Sequence, residues 1–502
     1  MFQEAYRTYV RLSSVSAGGA SLRAMFRRLA ASLPIVALFA TTVPTAASAA
    51  TPAVVNVSRR TTNQSEAAVA ASPLDANDVV IVSNVEHGYG IFVAVSHDGG
   101  ATWSRDVLGD ADTFGRACCD PTISWDHFGN LFLSWLGYGK LRYPTVVPVL
   151  LSTDAGDDWS LLTRIKPPAA VPATATVGVR APLASESGPK GDEEDRGPGF
   201  LDQPTITTGA GSLWATWNNE GQMQTVGARV RGLGDVAPFK PVRDVPGGHN
   251  CTFGDVTVGP GGAVAEVCQK DQDRYDPVRS VLRFTVDPDG LRPHPFRPAT
   301  VVARTDVSLF EPIRPQRVRT IDAEAGLAWI RTGALRGRLV LMFTVETPDQ
   351  SDNTDVYAKT SDDSGGTWSD RIPITTAPRA QFLPRMAMDP ATGHLVVGWH
   401  DASLDTGSGP DDTDGRANSD AMYALSFSAD GGTTWTTPQM VSGGASNAKA
   451  SGNGIDFGDY TGMSFAFGVA HPGWADNSNS TGDNPDGTLH AFDIYSAAVP
   501  ET

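Results

Sequence analysis

An eight-residue pattern, Ser-x-Asp-x-Gly-x-Thr-Trp, stands four times in this 502-residue chain. The copies are Ser96–Trp103, Ser152–Trp159, Ser361–Trp368 and Ser428–Trp435, and the second carries Asp158 where the others carry threonine. A motif that recurs at intervals of tens of residues marks a repeat architecture. Its local chemistry is that of a hairpin. The Asp side chain bonds backbone N–H groups, Gly accepts a positive φ, and the closing Trp starts the next strand with a large ring to bury. The abundance of Gly (52), Pro (35) and Trp (11) suits an all-β chain rich in turns.

On these four copies the sequence resembles the Asp-box (BNR-repeat) proteins of the sialidase superfamily, over nearly the whole mature chain. The resemblance implies a β-propeller with the boxes on hairpins at blade edges, away from the site. It also implies a sialidase-type glycoside hydrolase, with three arginines gripping a substrate carboxylate, a Tyr nucleophile assisted by a Glu, and an Asp as acid/base. The family's first Arg lies in an Arg-Ile-Pro motif before the first box. Here Arg371-Ile372-Pro373 instead follows the third box and falls on an outer strand.

Strand, strand, strand, box, strand is the repeating unit. Blades open at Glu66, at Asp120-Pro121-Thr122-Ile123, at Gln203-Pro204-Thr205-Ile206, near Asp255, around Arg317, at Leu383 and at Asp459-Tyr460. Boxes one and two lie 56 residues apart, three and four 67 apart, and the 209-residue gap between two and three leaves room for two boxless blades. The count is seven, with six (the sialidase number) as the alternative. Ala53–Val57 alternates and can supply the last strand, closing the ring between the chain ends. Residues 167–199 lack strand periodicity and read as a flexible excursion.

The N-terminus reads as an export signal that starts at Met25. Arg27-Arg28 precede an apolar run to Val43 and an Ala47-Ser48-Ala49 cleavage pattern. Residues 1–24 are either a misassigned upstream start or an extended basic region. Residues 50–502 then form a single propeller domain in an exported protein with no membrane span, expected to be a monomer. The net charge of −17 falls to about −21 without residues 1–49, which argues against nucleic acid as partner. Cys251 and Cys268 flank a hairpin and can pair, whereas adjacent Cys118 and Cys119 are either a vicinal disulfide or two thiols. No cofactor is expected. The Asp-rich loops 403–421 and 476–487 offer oxygen ligands for Ca²⁺ but lack EF-hand spacing.

In a propeller the boxes sit on one face, and the starts of first strands and ends of second strands meet on the other. Those positions gather Glu66, Asp120, Gln203, Asp255 and Asp459 with Asn84, His400, Asp401 and Asp476, and with Trp217, Trp399, Trp474 and Tyr460 as aromatics. Carboxylates beside aromatic platforms are the chemistry of sugar binding and cleavage. Tyr460 is the candidate nucleophile, Glu66 its partner, and Asp120 or Asp112 the acid. Arg116, Arg317, Asp255, Asp401, Asp459 and Trp399 are candidate substrate contacts. The partner is a glycan or glycoprotein. The alternative is a non-catalytic propeller that binds glycan or protein at the same mouth.

Overall fold

The structure is a computed structural model in which residues 53–86, 89–166, 199–272, 279–347 and 351–502 are described. The export signal expected at 1–49, and the excursion expected at 167–199 except its last residue, lie outside them.

Seven antiparallel sheets carry almost all of the regular structure. The innermost strands are Ala68–Ala71, Gly115–Trp125, Leu201–Gly209, Thr252–Val258, Gly326–Trp329, Gln381–Met388 and Gly462–Ala466. Each packs on the next, and the seventh packs on the first, so the sheets close a seven-bladed β-propeller. The count of seven stands and six does not. Alternating small and branched residues explain the packing. Val80 and Val82 face one neighbour's cluster and Val79 and Ile81 the other, so each blade is apolar on both sides.

The N-terminal strand Val54–Asn56 is the outermost strand of blade seven, paired with Asp493–Ala497. Ser58 and Asn56 donate to the Asp493 carboxylate at 2.6 and 2.7 Å, which ties the start of the domain to its end. Blade five is the one misplaced start. Its innermost strand begins at Gly326, and Arg317 instead lies on a two-stranded hairpin, Glu311–Ile313 with Gln316–Ile321, that precedes it. Arg371-Ile372-Pro373 lies on the outer edge of blade five, as its position predicts, with Arg371 donating to the Arg304 carbonyl. Cys251–Cys268 is a disulfide, and so is Cys118–Cys119. Among the described residues no helix is long and apolar enough to cross a membrane.

Strand register places the two faces. In blade one, Ala71 pairs with Val79 and Val79 with Ser96, while Asn84 pairs with Ile91 at the other end. The box that starts at Ser96 is therefore opposite Glu66 and Asn84. The four boxes share one bonding pattern, except that the second, with Asp158, has no threonine hydroxyl to donate. In the first, Ser96 donates to Asp98 at 2.8 Å and accepts from Gly100 N, while Asp98 accepts from Thr102 N and Thr102 Oγ1. Those donors hold the Asp98 carboxyl down to about 2, the Thr102 hydroxyl first. Trp103 is buried, but Trp159, Trp368 and Trp435 are only half-buried, and Trp368 stacks edge-on against Phe284 of blade four at 5.3 Å.

The boxes also join blades. The box glycine of blade two packs on Val80 and Val95 of blade one, that of blade five on Phe284 of blade four, and that of blade six on Val340 of blade five. Gly365 has φ +84, and a Cβ there would stand 2.1 Å from Phe284 Cε1. Gly365→Ala is expected to cost about 2–4 kcal/mol, from the left-handed backbone and the clash together. Gly261→Ala, at φ +80 but facing open space, costs about 1–2 kcal/mol from backbone alone. Urea midpoints of the two variants check this, and equal losses would refute the packing role.

Candidate functional site at the channel mouth

Six of the seven blades enter their first strand through a non-glycine residue with left-handed backbone. These are Glu66, Asp120, Gln203, Phe253, Glu324 and Leu383, with φ between 39° and 57°. Asp120, Gln203, Phe253 and Leu383 sit inside bulges where the ladder slips. A bulge turns one side chain out of the pleat, here toward the mouth. A left-handed residue costs about 1–2 kcal/mol, so each must be held by its surroundings.

What holds them is one another. The Asn84 amide donates to Glu66, and Asn84 Oδ1 accepts from Asp120 N at 2.9 Å. Asp120 Oδ2 accepts from Gln203 N at 3.1 Å, and Gln203 Oε1 accepts from Phe253 N at 2.9 Å and Thr252 Oγ1 at 2.7 Å. On the other side, Glu66 Oε1 accepts from Asp459 N at 3.1 Å. Asp255 Oδ2 accepts from Leu327 N at 2.7 Å. A belt of side-chain acceptors thus runs from blade seven through blades one, two, three and four, with one more link from four to five.

Glu66 is 2% exposed and Asp120 is 6% exposed. Burial, reinforced by Asp459, raises Glu66 to about 7, with Arg319 opposing. Asp120 is raised well above its usual value, by burial first and then by Glu66 and Asp202. Burial raises Glu324 to about 8. It also raises Asp322, which accepts from Phe310 N at 3.0 Å, together with repulsion from Glu324. Tyr460 is half-buried, and its ionised form is disfavoured by burial and by Asp120, Glu66 and Asp459, with Arg385 opposing.

Two arginines, not the three that the resemblance implies, are tied into this group among the described residues. Arg319 donates to both oxygens of Asp459 and contacts Glu66 at 3.4 Å. Arg385 faces Asp255 and Tyr460 electrostatically. Tyr460, Glu66, Asp120 and Asp459 therefore come together as expected, and Asp255 joins the rim of the group through Arg385.

Other expected residues lie elsewhere. Arg116 is exposed and stacks over Tyr89 at 4.7 Å. Arg317 is exposed and acts on Asp352. Arg319, two residues on and so on the same side of the strand, reaches the carboxylates instead. Trp399, Trp217 and Trp474 are 0–1% exposed and are core residues, not sugar platforms. Trp399 Nε1 donates to Asp401, whose other oxygen accepts from Ser403 N; Asp401 is a strand-end anchor. Trp474, Asp476 and Ser478 repeat the arrangement. His400 is buried against Phe382, Phe457 and Tyr423, and burial drives it down to about 3. Asp112 accepts from Gly109 N and Phe114 N in an exposed turn.

Sequence reasoning missed Arg319, Arg385, Asp202, Asp322 and Glu324. One signal was present for Arg385. Leu383-Pro384 repeats the Asp120-Pro121 and Gln203-Pro204 step, and the residue after each proline begins the ladder. Of the two acidic loops, the first gathers Asp405, Asp412 and Asp420, with carboxylate oxygens within 4.8 Å of one another. Each of the three already accepts backbone N–H groups that hold the loop closed.

No family model matches the chain, and no curated protein matches it. Among solved structures, it is similar to a Penicillium chrysogenum alpha-L-arabinanase complexed with arabinobiose, with TM-score 0.42, 14% identity, and coverage of 73% of this chain and 93% of that one. It is similar to the Hadza microbial sialidase Hz136, with TM-score 0.41, 12% identity, and coverage of 85% and 74%. It is also similar to the Trypanosoma rangeli sialidase, with TM-score 0.40, 12% identity, and coverage of 80% and 56%. Identities this low say nothing of substrate, and the propeller itself stands on the strand ladders above.

The raised carboxyls have a consequence for stability. An acid whose pKa is higher in the folded state stabilises fully below its unfolded value, near 4.5 for Glu, and loses that contribution as pH rises through the folded value. For Glu66 and Glu324 the window runs from about 4.5 to about 7–8. Glu324→Gln keeps an acceptor for Asp322 N and removes the titration. The expected outcome is that the fall in Tm between pH 5 and pH 8.5 becomes shallower in this variant. A slope equal to wild type would overturn the buried-acid assignment.

Proposed function

We propose that the chain is an exported, sialidase-like glycoside hydrolase acting on extracellular glycans at the propeller mouth. The observation that carries this reading is the grouping of Tyr460 with Glu66, Asp120, Asp459, Arg319 and Arg385. A phenol that resists ionisation needs a neighbouring base to become a nucleophile. Glu66, near 7, is partly ionised at neutral pH and suits that task. Asp120, whose carboxyl burial and the neighbouring Glu66 push well above its usual range, suits donation to the leaving oxygen. In this reading the Tyr460 oxygen bonds to the anomeric carbon as the glycosidic bond breaks. Glu66 receives the phenolic proton, and water later releases the sugar. Arg385 and Arg319 offer guanidiniums to an anionic sugar, which supports a sialic acid over a neutral substrate.

A second reading, a non-catalytic propeller that binds glycan or glycoprotein at the mouth, is favoured by a specific observation. Glu66, Asp120 and Gln203 each accept a backbone N–H from the adjoining blade, and Arg319 is already engaged by Asp459. Release of a fluorogenic sialic acid glycoside separates the two. The hydrolase reading expects turnover that falls at least about 100-fold in Tyr460→Phe while binding of the sialoside persists. Absence of turnover in wild type, with binding retained, selects the second reading.

A further inference from the structure

A cleft of about 350 Å³ opens on the mouth side of blades five and six, lined by Arg314, Ser351, Asn353, Pro378, Arg379, Ala417 and Asn418. It is distinct from the Tyr460 group, since none of its lining residues belongs to that group. Its only charged lining side chains are two arginines, in a chain with a net charge of −17. Their state is unusual. Among the described residues Arg379 has no carboxylate partner; it donates one N–H to the Ser403 carbonyl at 2.7 Å and is half-buried. Its backbone is left-handed, at φ 74°, a strained conformation for a side-chain-bearing residue. Arg314 reaches Asp352 only at 3.5 Å and is 64% exposed on its side chain. Arg314 and Arg317 share Asp352, beside which Glu346 also stands, so Arg379 is the guanidinium of the cleft with no carboxylate partner among the described residues.

The polar partners in the cleft add a second requirement. Asn418 is fully used, accepting from Ala380 N and donating to the Asp352 carbonyl, so it fixes the wall. Asn353 is different. Its side-chain oxygen is shielded from solvent and has no hydrogen-bond partner. A shielded acceptor left unmade is unfavourable, and a ligand hydroxyl would supply the missing donor. Two under-paired guanidiniums and one orphan acceptor call for a ligand that carries an anionic group and a hydroxyl on one small frame.

We propose that this cleft is a binding subsite for an acidic sugar residue. Arg379 and Arg314 grip its carboxylate or sulfate, and the Asn353 oxygen accepts from a neighbouring hydroxyl. The subsite works whether or not the Tyr460 group hydrolyses anything. It makes a polyanionic glycan, with charges on more than one residue, a better ligand for this rim than a singly charged or neutral one.

Calorimetric titration of the full chain with unsulfated chondroitin tetrasaccharide, its 6-sulfated counterpart and neutral chitotetraose tests it. The expected result is salt-sensitive binding of at least one charged probe and none of the neutral one. Arg379→Gln and Arg314→Gln should each weaken the charged probe about tenfold. Binding of the unsulfated probe alone assigns the carboxylate as the recognised group, and a marked gain with the sulfated probe assigns the sulfate. Arg379→Gln touches a fold contact, so the exposed Arg314→Gln, with wild-type Tm, carries the test if the first variant unfolds. Equal affinity in Arg314→Gln and wild type, or equal binding of chitotetraose, overturns the proposal. Failure of sialoside turnover does not bear on it.

Discussion

The propeller depends on one kind of contact at its mouth: a side-chain acceptor of one blade taking the backbone N–H of the next. Asp120 to Gln203 N, Gln203 to Phe253 N, and Asn84 to Asp120 N are successive links of one belt. Each donor belongs to a residue held left-handed, a conformation that costs energy and leaves its N–H outside the ladder. The clasp therefore answers two demands at once. It satisfies a stray donor, and it fixes the angle between neighbouring sheets. Ring closure uses the same logic at the rim, where Asp493 collects Asn56, Ser58 and the Arg60 N–H at the chain's two ends.

This belt explains why chemistry and architecture compete for the same residues. Glu66 and Asp120 have the burial and raised pKa of catalytic acids, yet both are bonded into the scaffold. Perturbed titration marks functional sites only probabilistically, because structural networks perturb it too. Tyr460 stands apart from this belt. It lies within the field of three carboxylates, and no hydrogen bond in the belt requires its hydroxyl. The buried tryptophans, by contrast, fill the core.

The architecture was legible in sequence to the extent that it was periodic. Four boxes and the x-Pro-Thr-Ile step set the blade register, and the alternating Ala53–Val57 pointed to the closing strand. What failed had lost its period. The hairpin at 311–321 interrupts the count just where blade five was placed, so Arg317 was taken for a first-strand residue while Arg319 did the reaching. Trp399 and Trp474 were misread because strand-end position was taken to mean exposure. Their indoles fold back to the carboxylates two residues on, Asp401 and Asp476, and the rings fill the core. Local spacing contained that Trp-x-Asp-x-Ser repeat, but only packing tells whether such a ring faces water.

The uneven distribution of charge around the mouth follows from the same topology. Blades seven, one, two and three bring Asp459, Glu66, Asp120 and Asp202 to it, each at the start of a first strand. The side of blades five and six brings Arg319, Arg385, Arg314 and Arg379, two of them from the inserted hairpin. An inserted element is the part of a repeat fold least bound by the repeat, so it is where a cation can be added without disturbing the belt. The result is a mouth where cations stand among carboxylates: Arg319 reaches Asp459 and Glu66, while Asp322 and Glu324 enter blade five beside it.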